Sequence, residues 1–214
     1  PDLVPSGNPQ TDFSLPLSLS DLENVSKVTV CADTTNKLCT YQSVTGDPSG
    51  ATTFGALELL FDTSKKNGGK AGFYYNLASS GTTPAERVVS AQALLGGVLI
   101  TNAFTPGVNV CDNVGTGEEF AMNYLTGTGD PQLAQEQGKT GFGFGMDSSG
   151  NAVINTSLGA GLPAAPSLHV GTGSGAHGIT ACTQTSTGAV ICQKIATLDT
   201  VLSKELSWRE PLDQ

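Results

Sequence analysis

The residues most suggestive of enzymatic chemistry lie in one glycine-rich string, residues 169–178, which holds both histidines of the chain. Ser174 and His177 supply a hydroxyl and an imidazole, which a serine hydrolase combines with a carboxylate. The string lacks a glycine-x-serine-x-glycine elbow, because Thr172 occupies the place of the first glycine. A strand pattern follows the string, whereas a phosphate-binding loop precedes a helix. We therefore predict an exposed connecting loop, and a secreted serine hydrolase is the least favoured alternative.

A second chemical candidate is the oxygen-rich turn at residues 147–151. Asp147, Ser149 and Asn151 stand at the first, third and fifth places of a calcium-binding loop. The twelfth place holds Leu158 where such a loop has a bidentate glutamate. Two interpretations stay open: a Ca²⁺ site, or a plain β-turn stabilised by the Asp147 side chain. No other cofactor is predicted.

The carboxylates give no acid and base pair. Glu118 and Glu119 are adjacent, so within a strand they point to opposite faces of the sheet. Glycoside hydrolysis needs two carboxyl groups that flank one bond. Together with the glycine-rich string, this pattern predicts a protein that is not an enzyme.

The five cysteines form two close pairs and one single residue. Cys31 and Cys39 are separated by seven residues, and Cys182 and Cys192 by nine. Each spacing fits a hairpin whose arms are joined by a disulfide, and we predict both bonds. The alternative is a set of reduced cysteines buried as small apolar side chains. Cys111 is either a buried free thiol or an intermolecular link.

The N-terminal segment alternates strictly between apolar and polar residues, which is the period of a strand. The apolar positions are Phe13, Leu15, Leu17 and Leu19. Pro16 lacks a backbone N–H, so such a strand lies at an edge or forms an extended arm. We predict that residues 1–20 form an extended arm suited to strand addition on a neighbouring copy.

The remainder, residues 21–214, is predicted to be a single all-β domain of short antiparallel strands. Gly96 and Gly97 signal a two-residue hairpin, residues 133–137 a helical turn, and residues 54–61 either a helix or a strand. The predicted strands cover residues 27–32, 38–43, 71–77, 87–94, 98–104, 119–125, 141–146, 152–155, 167–170, 179–185, 189–194 and a segment that ends at Trp208. This spacing is typical of a sandwich, barrel or propeller.

Composition narrows the classes of function. The chain has 27 glycines, 14% charged residues and a net charge of −9, so attraction to nucleic acid or to an anionic membrane is not expected. The longest apolar stretch, residues 91–104, is too interrupted to span a bilayer. The chain begins at Pro1 without a leader, and we interpret it as a processed product or a fragment of an exported protein.

Five short segments add a family resemblance. They are residues 69–77 (GKAGFYYNL), 85–90 (AERVVS), 96–106 (GGVLITNAFTP), 119–126 (EFAMNYLT) and 207–210 (SWRE). In this order they resemble the KxGWYxDL, GERV, GGxVxFTTxxP, xLYALDxxTG and SWRE motifs of the C-terminal β-propeller of the PilY family, the adhesins at the tip of type IV pili. Cys111 falls where that family often has a cysteine.

The resemblance implies a cell-surface location, a propeller-like architecture and a role in adhesion or pilus biogenesis. The family's propeller is about twice as long as this chain, so the chain would form a partial propeller with exposed strand edges. We therefore predict an extracellular structural or adhesive protein that associates with copies of itself in a ring or filament. The first alternative is a monomeric adhesin fragment that binds a surface ligand or a pilus component.

Overall fold

In the computed structural model, the described residues are 17–62, 68–79, 84–108, 114–137, 145–170 and 179–195. They form mainly β-strands, as the sequence predicts, with two short α-helices and a 3-10 turn at Leu19–Asp21. The elements are β1 Leu22–Asn24, β2 Thr29–Val30, β3 Val44–Thr45, α1 Phe54–Asp62, β4 Gly72–Tyr74, β5 Arg87–Val88, β6 Ala93–Leu95, β7 Val98–Thr105, β8 Thr116–Asn123, α2 Pro131–Gln137, β9 Asn155–Ala160, β10 Ser167–Val170, β11 Ile179–Gln184 and β12 Val190–Ile195.

The largest sheet has five strands and is built around β7. One side of β7 pairs with β8, which in turn pairs with β9, and the other side pairs with the short strands β5 and β6. The predicted hairpin between β6 and β7 is confirmed: Leu95 pairs with Val98, and the intervening Gly96 and Gly97 have φ angles of 59° and 79°. Positive φ at both positions is what a tight two-residue turn requires, and glycine adopts it without steric cost.

A second sheet of three antiparallel strands, β10, β11 and β12, packs on one face of the first. Alternation along the strands turns Val98 and Ile100 of β7 toward this second sheet, where Ala181 and Ile195 join them in one buried cluster. The two sheets therefore enclose a core between their facing sides, as in a β-sandwich.

The opposite face of the five-stranded sheet is buried as well. Phe120 and Met122 of β8 pack there with Ala103, and the rings of Tyr75 and Phe120 meet edge to face at 5.6 Å. Beyond Tyr75 lies a third cluster, formed by one face of α1 and by the valines of residues 25–44. The segment that the sequence left open as helix or strand is therefore α1, whose apolar face fills this cluster.

Two details of the predicted strands are wrong. The strand predicted over residues 87–94 is interrupted, because only β5 and β6 at its ends pair with β7. The strand predicted over residues 38–43 is absent apart from an isolated bridge at Ser43, and regular pairing starts at Val44. The described strands form four separate sheets, none of which closes into a barrel or a propeller.

The extended arm ends earlier than predicted. Leu19 belongs to the 3-10 turn because the Asp21 carboxylate accepts hydrogen bonds from the backbone N–H of Ser18 (2.9 Å) and from its hydroxyl (2.7 Å). Leu17 and Leu19 are both exposed, to 43% and 68%. Phe13 and Leu15 lie outside the described residues. None of the described helices is long and apolar enough to cross a membrane.

Candidate functional site

The turn that carries the predicted calcium ligands is closed by its own hydrogen bonds. One oxygen of Asp147 accepts from the N–H groups of Ser149 (2.8 Å) and Asn151 (2.9 Å). Gly150, at the tip, packs so closely on Asp33 that a side-chain carbon there would lie 2.6 Å from its Cβ. The turn thus has the form expected of an aspartate-stabilised β-turn. Ca²⁺ binding by Asp147, Ser149 and Asn151 stays a prediction.

The disulfide between Cys31 and Cys39 is present, with a Cα to Cα distance of 6.0 Å, but it does not staple a hairpin. β2 pairs with β3, which lies beyond Cys39, and Cys31 bridges to Asn151. The loop between the cysteines is ordered instead by the buried carboxylate of Asp33, which accepts N–H hydrogen bonds from residues 35, 36 and 38 at 3.0 to 3.1 Å. A hairpin does form between β2 and β3, but its second arm begins beyond Cys39, so the disulfide joins the first arm to the hairpin loop and not to the second arm as predicted.

The disulfide between Cys182 and Cys192 does join the arms of a hairpin, as predicted. The two residues are directly opposite each other in β11 and β12, with a Cα to Cα distance of 4.0 Å. Such a short separation is typical of a non-hydrogen-bonded antiparallel pair. Gly188 closes the hairpin with a φ angle of 88°. The bond thus fixes the outer strand of the three-stranded sheet to its central strand.

The residues proposed for hydrolase chemistry are only partly described. His169 lies in β10, opposite Thr180, and is exposed. Ser174 and His177 lie outside the described residues, as does Cys111, so the predictions made for them stay predictions.

A buried polar cluster between the two large sheets is the most unusual feature of the described chain. Asn102 of β7 and Glu119 of β8 are opposite each other, and Thr183 of β11 faces them from the second sheet. Their exposed fractions are 0%, 1% and 0%. The Thr183 hydroxyl donates to Glu119 Oε2 at 2.8 Å, and Asn102 Nδ2 donates to Thr183 Oγ at 3.1 Å. One hydroxyl therefore links an amide to a carboxyl group.

Among the described residues, two oxygens of this cluster lack a hydrogen-bond donor, Asn102 Oδ1 and Glu119 Oε1, and so does Gln193 Oε1 on the neighbouring strand β12. An unsatisfied buried acceptor costs about 1–3 kcal/mol, so such a group calls for a physical explanation. Burial raises the pKa of Glu119, and the hydrogen bond from Thr183 offsets only part of this effect. A proton retained by the carboxyl group would supply one of the missing donors.

The sequence pattern predicts the orientation of Glu119 in this cluster but does not indicate the burial of Asn102 and Thr183. Adjacent Glu118 and Glu119 do point to opposite faces, and the inward one is Glu119. Neither Asn102 nor Thr183 is predicted to be a site residue, because each looks like an ordinary polar residue of a half-exposed strand. Their shared burial depends on how two sheets pack, which is not a property of either local pattern.

A second carboxyl group is buried at the edge of the five-stranded sheet. Glu86 is 8% exposed, its Oε2 accepts from the N–H of Ala78 at 3.0 Å, and its Oε1 has no donor among the residues that the structure describes. Burial raises the pKa of Glu86, and the nearby Glu118 raises it further. Burial also raises the pKa of the neighbouring Tyr75 hydroxyl, with smaller contributions from both carboxylates.

Replacing Glu86 with glutamine is expected to change the pH dependence of stability. Because the folded state raises the pKa of Glu86 above its ordinary value of 4.5, its contribution is fully present below that value and is lost as pH rises through the folded pKa. Glutamine keeps an acceptor for Ala78 and carries no charge. Urea unfolding should give Glu86→Gln and wild type similar stability at acid pH and a more stable variant at alkaline pH. A constant difference across the range would contradict this assignment.

A third group joins β1 to the turn at residues 47–50. The Glu23 carboxylate is 2% exposed, accepts from the Ser49 hydroxyl at 2.6 Å and pairs with the Lys70 ammonium at 3.4 Å. Burial raises the pKa of Asp47, and the charge of Glu23 raises it further, although the Ala51 N–H acts in the opposite direction. We interpret this group as structural, since the lysine and serine compensate the buried charge.

No family model matches the chain, and no curated protein or solved structure does. A relationship to the PilY propeller, and the function that it would imply, are therefore proposals.

Proposed function

We propose that this chain is an extracellular structural or adhesive β-protein that works by associating with copies of itself. The observation that carries the proposal is the pair of intramolecular disulfides, because such bonds form and persist in oxidising compartments. A chain of four small sheets held by two disulfides and by buried side-chain hydrogen bonds suits a rigid extracellular building block.

The strand edges support the self-association. Among the described residues, one side of the eight-residue β7 is covered only by the two-residue β5 and the three-residue β6. Val88, Val89 and Leu94 are exposed along this margin, with exposed fractions of 44%, 37% and 59%. Open edges with apolar side chains favour pairing with another chain. In the form suggested by the PilY resemblance, the chain is a partial propeller whose copies cover one another's edges in a ring or filament.

The N-terminal arm is the proposed connector. Leu17 at its described end and Leu19 in the adjoining 3-10 turn are both exposed to solvent, in line with a segment that adds to a neighbouring copy. Other partners, in this proposal, are pilus components or surface ligands, and Ca²⁺ at Asp147 is an accessory ion. Catalysis has no part in it.

Substituting both exposed leucines of the arm with aspartate is expected to weaken self-association. Leu17→Asp/Leu19→Asp removes apolar contact and adds two charges to a chain whose net charge is already −9. Light scattering should show a midpoint of association at least about tenfold higher in concentration, which corresponds to about 1.4 kcal/mol.

The matched control is Leu59→Asp/Leu162→Asp, which replaces two leucines with exposed fractions of 59% and 46% that lie outside both the arm and the β5–β6 margin. If the control variant lost association and the arm variant kept it, the arm would not be the connector. Equal masses for wild type and the arm variant at every concentration would also contradict this role.

A monomeric adhesin that binds a surface ligand is the second candidate, and one observation favours it. A groove of about 360 Å³ lies beside the β11–β12 hairpin, lined by residues that include Leu162, Pro163 and Thr185. Its open shape and polar hydroxyls suit a weakly bound extended ligand. A stable monomer that binds cells and loses binding on Leu162→Asp would favour this candidate over self-association.

A further inference from the structure

The polar cluster between the sheets places three complementary chemical groups around one hydroxyl. Thr183 offers a nucleophilic oxygen, Asn102 an amide carbon, and Glu119 a carboxyl group that accepts the hydroxyl proton at 2.8 Å. Asn102 Nδ2 lies 3.1 Å from the same hydroxyl oxygen and also donates to the Ala164 carbonyl at 2.6 Å, which holds the amide in place. A nucleophile within hydrogen-bond reach of its base is the arrangement required for covalent chemistry.

Two oxygen atoms without a hydrogen-bond donor provide the second proton-transfer path that the reaction needs. Within the described part of the chain, Glu119 Oε1 and Asn102 Oδ1 both lack a donor, and the two residues are opposite each other in the β7–β8 ladder. A proton on Oε1, directed to Oδ1, would satisfy both atoms and polarise the amide carbonyl. Burial favours the protonated carboxyl group because it disfavours the charged form. The same carboxyl group then accepts a proton at one oxygen and donates one at the other.

We propose that Thr183 and Asn102 become joined by an ester bond between the two sheets, with Glu119 as the proton shuttle. Thr183 Oγ attacks Asn102 Cγ, its proton passes to Glu119 Oε2, and the Oε1 proton passes to Asn102 Oδ1. The tetrahedral carbon then collapses: the Oδ1 proton returns to Oε1, the Oε2 proton passes to Nδ2, and the Cγ–Nδ2 bond breaks. Ammonia leaves, and the carboxyl group regains its starting protonation state.

The surroundings favour this reaction and protect its product. The three side chains are held together by the fold, so the entropic cost of bringing the reactants together is already met by folding. With exposed fractions of 1% or less, the site excludes the bulk water that would hydrolyse an ester. The bond would covalently join β7 to β11, across an interface otherwise held by packing and hydrogen bonds.

Peptide mapping of the wild-type protein tests the proposal. Trypsin cleaves after Arg87, Lys139 and Lys194, so Asn102 lies in the peptide 88–139 and Thr183 in the peptide 140–194. After full reduction and alkylation of the cysteines, the two peptides should remain joined, with a combined mass lower by one ammonia, about 17 Da. Recovery of the two peptides only as separate species would overturn the proposal. An internal succinimide also loses ammonia, but it joins no peptides.

Two threonine variants of the same strand region assign the nucleophile. Thr183→Val removes the hydroxyl of the cluster. Thr185 is 3% exposed, and its hydroxyl hydrogen-bonds to the Thr187 hydroxyl and the Ala189 carbonyl, outside the cluster, so Thr185→Val is the control. We expect separate peptides from Thr183→Val and joined peptides from Thr185→Val. Joined peptides from Thr183→Val would show that another residue forms the link and would overturn the assignment. The wild-type result decides the main question even if a variant fails to fold.

Discussion

Substituting Gly46 with alanine is expected to cost at least about 3 kcal/mol of unfolding free energy. Gly46 has a φ angle of 79°, and a Cβ atom there would lie 2.2 Å from the carbonyl oxygen of Lys27. The obstructing atom belongs to the backbone, so it cannot move without displacing the chain between β1 and β2. The measurement is urea unfolding followed by circular dichroism, and the loss corresponds to a fall in Tm of roughly 6 °C or more.

Gly50 provides the matched control for this substitution. Its φ angle is 83°, almost the same, but a Cβ atom there would meet nothing within 4 Å. Gly50→Ala should therefore show the conformational cost alone, about 1 kcal/mol. Equal losses for the two variants would mean that the close approach of Lys27 to Gly46 does not exist in the protein.

Removing the Cys31–Cys39 disulfide should have the second largest effect, a loss of about 2–3 kcal/mol. The loop between the cysteines has no regular strand pairing among the described residues, and the Asp33 carboxylate anchors the N–H groups of residues 35, 36 and 38. Cys31→Ala/Cys39→Ala should also release the amides of residues 35, 36 and 38 to fast hydrogen exchange. Alanine avoids placing a hydroxyl at position 31, which is 1% exposed.

The comparison variant is Cys182→Ala/Cys192→Ala. The two disulfides close loops of similar length, with sequence separations of 8 and 10, so their effects on the unfolded chain are nearly equal. The β11–β12 ladder continues to hold the second loop when its disulfide is gone. We expect the smaller loss of stability, and little change in amide exchange, for this pair. A larger loss than for the Cys31–Cys39 variant would contradict the role assigned to Asp33.

Sequence pattern alone predicts the structure correctly where residues close together in the chain determine it. The Gly96–Gly97 hairpin follows from positive φ at two adjacent positions, which glycine alone tolerates well. The Cys182–Cys192 bond follows because its short spacing brackets a turn inside an alternating pattern. The adjacent pair Glu118 and Glu119 was correctly assigned to opposite faces, since alternation is a property of the strand itself.

Sequence pattern alone does not predict the structure where contacts between segments far apart in the chain determine it. The Cys31–Cys39 spacing predicts a hairpin whose two arms are joined by the disulfide, but the second arm starts at Val44, and Cys39 lies in the loop that hydrogen-bonds to the Asp33 carboxylate. Whether residues 54–61 formed a helix or a strand depended on the apolar cluster that covers α1. The proposed ester bond depends on contact between Thr183 and Asn102, which are 81 residues apart along the chain. No local pattern around either residue indicates that contact.

The central claim, self-association of an extracellular β-protein, is tested most directly by sedimentation equilibrium of the oxidised chain over a wide range of concentrations. We expect a mass that rises with concentration from 21.8 kDa to multiples of that value. A mass of 21.8 kDa at every concentration, with both disulfides intact, would contradict it.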